Sequence, residues 1–187
     1  MLATARSIVV LTLLGLLCCV GCGTEVAFSG VTLAKSRAYR DVRLRVVDVF
    51  RVLPGIELRI EGKSTLDLSD CTEFIVEGRL VIVGEEDAKA TIRSCGAPVA
   101  IRCRGGEVSI SHVVVASAPA SPIGFVNDGG RFEVTAAELR GASEWGADAG
   151  ELHLTYSKLY EGTAVFNPSG GNALIEECDF RGGARPL

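Results

Sequence analysis

The sequence predicts an all-β fold, a right-handed parallel β-helix of about six coils with three short strands in each coil. Four glycines in the C-terminal half, separated by 24, 20 and 21 residues, mark a repeat: Gly106, Gly130, Gly150 and Gly171. At fixed offsets from these glycines, apolar residues alternate with polar ones, which indicates strands with one buried face. After Gly23 no apolar pattern has the period of a helix. Stacking lets each coil bury the apolar residues of its neighbours, and parallel crossovers favour the right hand.

The repeat places equivalent residues of successive coils in columns. The inward columns are Ile101, Phe125, Trp145 and Phe166; Val108, Phe132, Leu152 and Ala173; Ile110, Val134, Leu154 and Ile175; and Val115, Leu139, Leu159 and Phe180. Looser apolar pairs, such as Leu58/Ile60 and Leu80/Ile82, extend the pattern towards the N-terminus. We therefore expect the β-helix domain to span residues 42–187, with residues 22–41 as a tether that leads into it.

The N-terminus has the features of an export signal. A positively charged start precedes the apolar run Ile8–Val20, which as a helix of ~20 Å is too short for the ~30 Å hydrocarbon core of a membrane. The run ends in Cys19-Val20-Gly21-Cys22, which resembles the lipobox of bacterial lipoproteins. The resemblance implies removal of the signal peptide 1–21, acylation of Cys22 with groups such as palmitate, and anchoring in the cell envelope. Glycine at position 23, directly after Cys22, resembles the residue found there in lipoproteins that are directed to the outer membrane. The alternative is an ordinary cleaved signal with an incidental cysteine.

Two stretches resemble the opening coils of exported bacterial β-helix proteins. They read LPGIELRIEG at 53–62 and IVEGRLVIVG at 75–84, and a Gly-x-hydrophobic-x-hydrophobic pattern follows in the later repeats. The resemblance covers residues 42–183 and implies a right-handed β-helix of the pectin lyase-like kind. Members of this group include polysaccharide lyases, pectin hydrolases, uronate epimerases and adhesins. The resemblance therefore implies a fold and leaves the function open.

Asp128 and Asp148 are the candidate catalytic residues. Each stands two residues before a repeat glycine, so the repeat places them in one column about 5 Å apart. Paired carboxylates at such a distance suit glycoside cleavage, and they also suit Ca²⁺ as oxygen ligands. The alternative is a turn role, in which an aspartate before glycine bonds the local backbone. In that case Arg104 neutralises Asp128 from the neighbouring rung.

Arg140, Tyr160 and Arg181 are the candidate ligand-binding residues. They stand ten residues after their repeat glycines, in a column that faces outward. A tyrosine ring between two guanidinium groups favours cation–π stacking, and it also offers a flat platform for a sugar. A purely structural stack is the alternative.

The cysteines and histidines give no metal signature. The chain has no CxxC pair after the leader, and His112 and His153 fall in different columns, so we predict no metal site. An exported chain can form disulfides. Cys71 and Cys95 each follow an inward residue by three positions, which places them on adjacent rungs, either as a disulfide or as free thiols. Cys178 falls in an inward column and is predicted to be a buried thiol.

Composition narrows the function classes. Nineteen basic residues against 23 acidic ones, without a basic cluster, argue against nucleic acid as a partner. The chain lacks a nucleophile elbow, a P-loop and a dinucleotide fingerprint. We therefore expect a lipid-anchored envelope protein that acts as a structural module or contacts a glycan or protein, with no cofactor. The alternative is a polysaccharide lyase or glycoside hydrolase that uses Asp128 and Asp148.

The C-terminus carries one further expectation. The last repeat ends at Gly183, close to the final residue Leu187. An open β-helix end exposes unpaired strand edges. Either a short loop covers that edge, a partner pairs with it, or the gene product is truncated.

Overall fold

The chain folds as an all-β parallel solenoid of about seven turns, without helices, over the residues described by the computed structural model: 24–141, 143–160, 164–168 and 170–181. The strands are β1 (Thr24–Leu33), β2 (Arg37–Arg40), β3 (Val42–Val52), β4 (Glu57–Glu61), β5 (Thr65–Val76), β6 (Arg79–Val83), β7 (Ala90–Ser94), β8 (Val99–Cys103), β9 (Glu107–Ser111), β10 (Val113–Ser117), β11 (Ile123–Thr135), β12 (Glu138–Arg140), β13 (Ser143–Thr155), β14 (Lys158–Leu159), β15 (Ala164–Pro168), β16 (Asn172–Glu176) and β17 (Asp179–Phe180). The predicted fold class is confirmed, with about seven turns in place of about six.

Three faces of stacked parallel strands form the solenoid. The first face consists of the N-terminal parts of β1, β3 and β5, followed by β7, β10, β12, β14 and β17. The second face consists of the C-terminal parts of β1, β3 and β5, then β8, the N-terminal parts of β11 and β13, and β15. The third face consists of β2, β4, β6 and β9, the C-terminal parts of β11 and β13, and β16. Each strand therefore pairs with its equivalents one coil before and one coil after.

The additional turn lies at the N-terminus of the described chain. β1 pairs in parallel with β3, from Thr24 opposite Val42 to Leu33 opposite Val52, and β2 pairs with β4. Both strands lie within the segment 22–41 that the sequence predicts as a tether. This turn lacks a repeat glycine, so the spacing of the glycines did not predict it.

The termini of the chain carry predictions that lie outside the described residues. The described residues do not include 1–23, which contain the predicted signal peptide and Cys22, or 182–187, which contain the end of the last repeat. The lipid anchor and the partner-paired C-terminal edge therefore stay predictions. In the part of the chain that the structure describes, no helix has the length and apolarity needed to cross a membrane.

The core is a stack of inward columns whose registers match the spacing of the glycines. Ile101 lies opposite Phe125, and Phe125 lies opposite Trp145. The rings of Phe125 and Trp145 stack with centroids 4.1 Å apart and planes within 13°. A similar pair, Phe50 and Phe74, has its centroids 4.8 Å apart. Because the two rings of each pair lie on consecutive rungs, their contact stabilises the solenoid along its axis.

The corner between the second and third faces requires glycine because two backbones approach closely. A Cβ atom at Gly130 would collide with the carbonyl oxygen of Gly106, and one at Gly150 would collide with that of Gly130. The repeat glycines therefore stack directly on one another. This steric demand explains why they recur with the length of the coil.

The corner between the third and first faces is built differently. In four successive coils a single non-glycine residue in the left-handed conformation makes this corner: His112, Ala136, Tyr156 and Glu177, with φ of 51°, 53°, 50° and 50°. In an earlier coil Gly62, with φ of 67°, stands at the same corner. The backbone N–H of Ala136 donates to the carbonyl of Thr155 on the next coil at 3.1 Å. Hydrogen bonds between coils therefore hold a conformation that residues with a Cβ atom rarely adopt.

Candidate functional site

Asp128 lies where β11 turns from the second face to the third. The preceding residue, Asn127, is fully buried and holds this corner. Its side-chain amide donates to the carbonyls of Gly130 at 2.9 Å and Glu151 at 2.7 Å, and its Oδ1 accepts from the N–H of Gly130 at 2.9 Å. The inward asparagine therefore fixes the backbone from which the side chain of Asp128 extends.

Two arginines compensate the charge of Asp128. Arg102 donates from Nη1 to its Oδ2 at 2.8 Å, and Arg104 Nε lies 3.8 Å from the same oxygen. Both arginines also contact Oε1 of Glu73, at 3.5 Å from Arg102 and 3.0 Å from Arg104. The hydrogen bond with Asp128 is the main cause that raises the pKa of Arg102. The predicted contact with Arg104 is present, and the closer one with Arg102 was not predicted.

Asp148 does not share a column with Asp128. The register between β11 and β13 shifts at this corner, so that Asp128 lies opposite Ala149. In one coil the left-handed corner residue is Gly129, with φ of 103°, whereas in the next it is Gly150, with φ of 82°. The number of residues from the repeat glycine therefore does not predict which residues are neighbours here, because the corners at Asp128 and Asp148 differ in backbone conformation.

A shallow groove of about 860 Å³ runs along the second face and contains Asp148. Its lining combines small residues, among them Gly124 and Gly146, with charged residues at the rim. The charged residues are Glu73, Arg102, Glu144 and Asp148. The small side chains leave room on the outer surface of the strands, and the groove includes one of the two predicted aspartates, Asp148. The groove was not predicted from the sequence.

Among the described residues, no group of three or more His, Cys, Asp or Glu side chains is placed to hold a metal ion. Ca²⁺ at Asp128 and Asp148 stays a prediction. Asp128 already contacts two guanidinium groups, and cationic neighbours oppose the binding of a second cation.

Arg140, Tyr160 and Arg181 form a contiguous stack on the first face. Cζ of Arg140 lies 5.3 Å from the centroid of the Tyr160 ring, and Cζ of Arg181 lies 5.9 Å from it. The arrangement is the cation–π sandwich predicted from the spacing. Tyr160 is half-buried and both arginines are exposed, so the stack presents guanidinium groups on both sides of a ring.

An acidic residue anchors each arginine of this stack. Glu138 accepts from Nη2 of Arg140 at 2.6 Å, and Asp179 accepts from Nε of Arg181 at 2.6 Å. Glu138 also accepts from Nζ of Lys89 at 2.5 Å. The hydrogen bond with Lys89, followed by that with Arg140, lowers the pKa of Glu138 although partial burial opposes the shift. These contacts hold the arginines in place by a few of their N–H groups and leave others available.

A second ionic cluster on the first face surrounds Asp67. Its side chain is only 4% exposed and accepts from Arg43 and Arg93, each at 2.7 Å. Ser69 adds hydrogen bonds from its hydroxyl at 2.7 Å and its N–H at 3.2 Å. Burial alone would raise the pKa of Asp67, but the hydrogen bonds from Ser69, Arg43 and Arg93 outweigh it and hold that pKa well below its usual range.

This cluster was missed, although the sequence carried a signal for it. Leu66 and Ile92 both belong to the apolar alternation, and they lie opposite each other. The residues that follow them, Asp67 and Arg93, are therefore neighbours of opposite charge. Extending the outward columns back to the earlier coils would have placed them together.

The four described cysteines are free thiols. Cys71 is buried, whereas Cys95 is exposed, with its Sγ atom 3.0 Å from the hydroxyl of Ser69. Of the two alternatives left open by the sequence, a disulfide or free thiols, the structure therefore has free thiols. Burial raises the pKa of Cys71 and of Cys103 to about 11. Cys178 is partly buried, and its Sγ atom contacts the carbonyl of Glu176 at 3.3 Å.

Comparison with models of protein families, with curated proteins and with solved structures finds no match for this chain.

Proposed function

We propose that this protein is a lipid-anchored interaction module of the bacterial cell envelope, which binds a glycan or an envelope protein without transforming it. The exposed stack of Arg140, Tyr160 and Arg181 carries the proposal. An aromatic ring offers an apolar surface to a sugar, and guanidinium N–H groups donate to hydroxyl, carboxylate or sulfate oxygens. The solenoid serves as a rigid support for this surface.

The surroundings of Asp128 support a role without catalysis. Its carboxylate accepts a hydrogen bond from Arg102 and also lies near Arg104. A catalytic acid or base must lie within hydrogen-bond reach of the proton that it transfers on the substrate. The carboxylate of Asp128 is instead engaged by two guanidinium groups of the same protein, as in a structural ion pair.

The location within the envelope follows from the lipobox resemblance. We propose cleavage before Cys22, acylation of Cys22 and retention at the outer membrane. Several acyl chains on one residue would anchor the protein firmly, since each buried CH₂ group contributes ~0.8 kcal/mol. Fractionation of cells that produce the Cys22→Ala variant tests this anchor. We expect a soluble or unprocessed protein, and unchanged membrane retention would contradict acylation.

Binding at the stack is tested with matched tyrosine variants. Tyr160→Ala removes the ring between the two arginines, whereas Tyr156→Ala removes a tyrosine that is 60% exposed at the corner, away from the stack. The full-length chain in detergent is titrated with hyaluronan, polygalacturonate and chitin oligosaccharides. We expect binding of at least one glycan to weaken about tenfold in Tyr160→Ala and to remain unchanged in Tyr156→Ala. Equal affinities for the wild type and both variants would contradict the assignment of the stack.

A polysaccharide-acting enzyme is the second candidate, and the groove on the second face favours it. Asp148, Glu144 and Glu73 all line this groove, which gives it several carboxylates. Incubation of the full-length chain with polygalacturonate and hyaluronan, followed by assays for new reducing ends and unsaturated products, distinguishes the two candidates. We expect no product. Turnover that Asp148→Asn abolishes without changing the unfolding transition would overturn the proposal in favour of the enzyme.

A further inference from the structure

A column of arginines on alternate rungs runs along the first face. The register places Arg45 beside Asp67, Asp67 beside Arg93, and Arg93 beside Ala116. Ala116 lies opposite Arg140, and the stack with Tyr160 continues the column to Arg181. We call Arg45, Arg93, Arg140 and Arg181 the arginine column. Successive members are two rungs apart, ~9.6 Å, and the column spans ~29 Å along the solenoid axis.

The arginine column is exposed and held in place. The four side chains are between 42% and 58% exposed, and each has an acidic partner: Arg45 with Asp70 at 2.6 Å, Arg93 with Asp67 at 2.7 Å, Arg140 with Glu138 at 2.6 Å and Arg181 with Asp179 at 2.6 Å. A guanidinium group has five N–H donors in a fixed fork. One acidic partner uses only part of the fork, so each arginine is oriented in advance and retains donors for a ligand.

The rungs between the arginines present little that would oppose an anion. Ala116 separates Arg93 from Arg140, and the ring of Tyr160 separates Arg140 from Arg181. Asp67, which separates Arg45 from Arg93, is 4% exposed beneath the guanidinium groups. The outward neighbours on the rungs of Asp67, Arg93 and Ala116 are Thr65, Thr91 and Val114, and the neighbour of Arg140 is Glu138, which is 13% exposed. The column is therefore a regular row of arginines on a sheet, each oriented by an acidic partner.

The spacing of the charges favours one class of ligand. A disaccharide of an extended β-linked glycan spans a distance similar to two rungs of the solenoid. We propose that the arginine column binds a linear anionic glycan that carries one carboxylate or sulfate group per disaccharide and lies along the solenoid axis. Each arginine contacts an acidic sugar, and Ala116 and the ring of Tyr160 lie under the uncharged sugars between them. The inference rests on the proposed function and names its ligand class.

The test measures the affinity of the full-length chain in detergent for a hyaluronan decasaccharide, which carries one carboxylate per disaccharide. Arg140→Gln removes one charge from the arginine column. Arg131→Gln is the matched control, because Arg131 is similarly exposed, at 53% against 58%, but lies on the third face beside Glu133. We expect Arg140→Gln to weaken binding about tenfold, as for a lost charge-assisted hydrogen bond, and Arg131→Gln to leave it unchanged. Added salt weakens the interaction because it screens exposed charges.

The outcomes separate this inference from the proposed function. Equal weakening by both variants, equal binding of an uncharged chitin decasaccharide, or tighter binding of oligo-dT would overturn the anionic glycan as the ligand of the column. A different outcome is that the wild type and Arg140→Gln bind a glycan with equal affinity, whereas Tyr160→Ala does not bind it. In that case the proposed function would stand and only the ligand class would fail. Turnover of the decasaccharide would contradict the proposed function itself.

Discussion

The first and third faces of the solenoid have the same rung spacing but opposite patterns of charge. On the first face, arginines occupy alternate rungs; the acidic partner of Arg93 is the buried Asp67 on the rung before it, whereas the partners of Arg140 and Arg181 lie beside them on the same rung. On the third face, one outward column alternates in sign on every rung: Glu57, Arg79, Glu107, Arg131 and Glu151. Arg79 contacts Glu57 at 3.3 Å and Glu107 at 3.4 Å. We call this column the charge ladder.

The difference shows how a repeat fold can use one face to stabilise the stacking of its coils and leave another face for a ligand, as proposed here. In the charge ladder each of the inner members, Arg79, Glu107 and Arg131, has opposite charges directly above and below, so the attraction acts along the axis and favours the correct register of the coils. In the arginine column the residues directly above and below each arginine are uncharged or, in the case of Asp67, buried, so no such alternation acts along the axis. The proposal is that the guanidinium N–H donors left free on this face bind an anionic ligand.

The largest expected effect follows from removing the buried acid of the first face. Asp67→Asn leaves Arg43 and Arg93 close together without their shared carboxylate. We expect a loss of about 2 kcal/mol in the free energy of unfolding at pH 7, measured by urea denaturation. Asp70→Asn is the control: Asp70 is 45% exposed, so its loss should cost no more than about 0.5 kcal/mol.

The same pair of proteins gives a pH test. The folded-state pKa of Asp67 lies below its ordinary value of 3.8, so its contribution is present above that value and is lost as the pH falls further. The difference between wild type and Asp67→Asn should therefore shrink below about pH 4. A difference that stays constant down to pH 2 would show that Asp67 acts through packing and not through its charge.

A smaller effect is expected for Glu138, the anchor of Arg140. Glu138 is 13% exposed and contacts both Lys89 and Arg140. We expect Glu138→Gln to lower the free energy of unfolding by about 1 kcal/mol at pH 7. Because the folded-state pKa of Glu138 lies below its ordinary 4.5, this difference should disappear as the pH falls below that range. Full stability of the variant at pH 7 would contradict the anchoring role.

Reversing one charge on the third face tests the charge ladder. Arg79→Glu places three glutamates on consecutive rungs, at positions 57, 79 and 107. We expect a loss of about 0.5–1 kcal/mol in low salt, and a smaller loss in 1 M salt. Arg79→Gln removes the attraction without adding repulsion and should cost less. Wild-type stability of both variants would show that the charge ladder makes no contribution.

The smallest expected effect lies at the corner that joins the two faces. Ala136 adopts a left-handed conformation, with φ of 53°. Ala136→Gly relieves this strain but increases the entropy of the unfolded chain, so we expect a gain of about 0.5 kcal/mol. Ala100→Gly, within strand β8, should instead destabilise the protein by a similar amount. A loss of stability in Ala136→Gly would contradict the strain.

The sequence predicted the structure best where equivalent positions of successive coils carry side chains of the same type. The columns of Phe125 with Trp145 and of Leu139 with Leu159 followed from the glycine spacing, because a buried position demands an apolar residue on every rung. The cation–π stack around Tyr160 followed from the same spacing. The earlier coils were less visible, since their lengths vary more.

The corners were the features that the sequence did not predict. Successive corners near Asp128 and Asp148 place their left-handed glycine at different positions, which no count of residues detects. The corner at Ala136 and Tyr156 is held by hydrogen bonds between coils, and its residue type therefore carries no signal. The groove on the second face depends on small residues that are neighbours only after the coils have stacked.

The most direct test of the difference between the two faces is a titration observed at the arginine side chains. The Nε–Hε resonances of the full-length protein in detergent are followed by nuclear magnetic resonance as the hyaluronan decasaccharide is added. We predict shifts for Arg45, Arg93, Arg140 and Arg181, and none for Arg79 and Arg131. Shifts confined to the third face, or spread equally over both faces, would contradict the assignment of the arginine column as the binding surface.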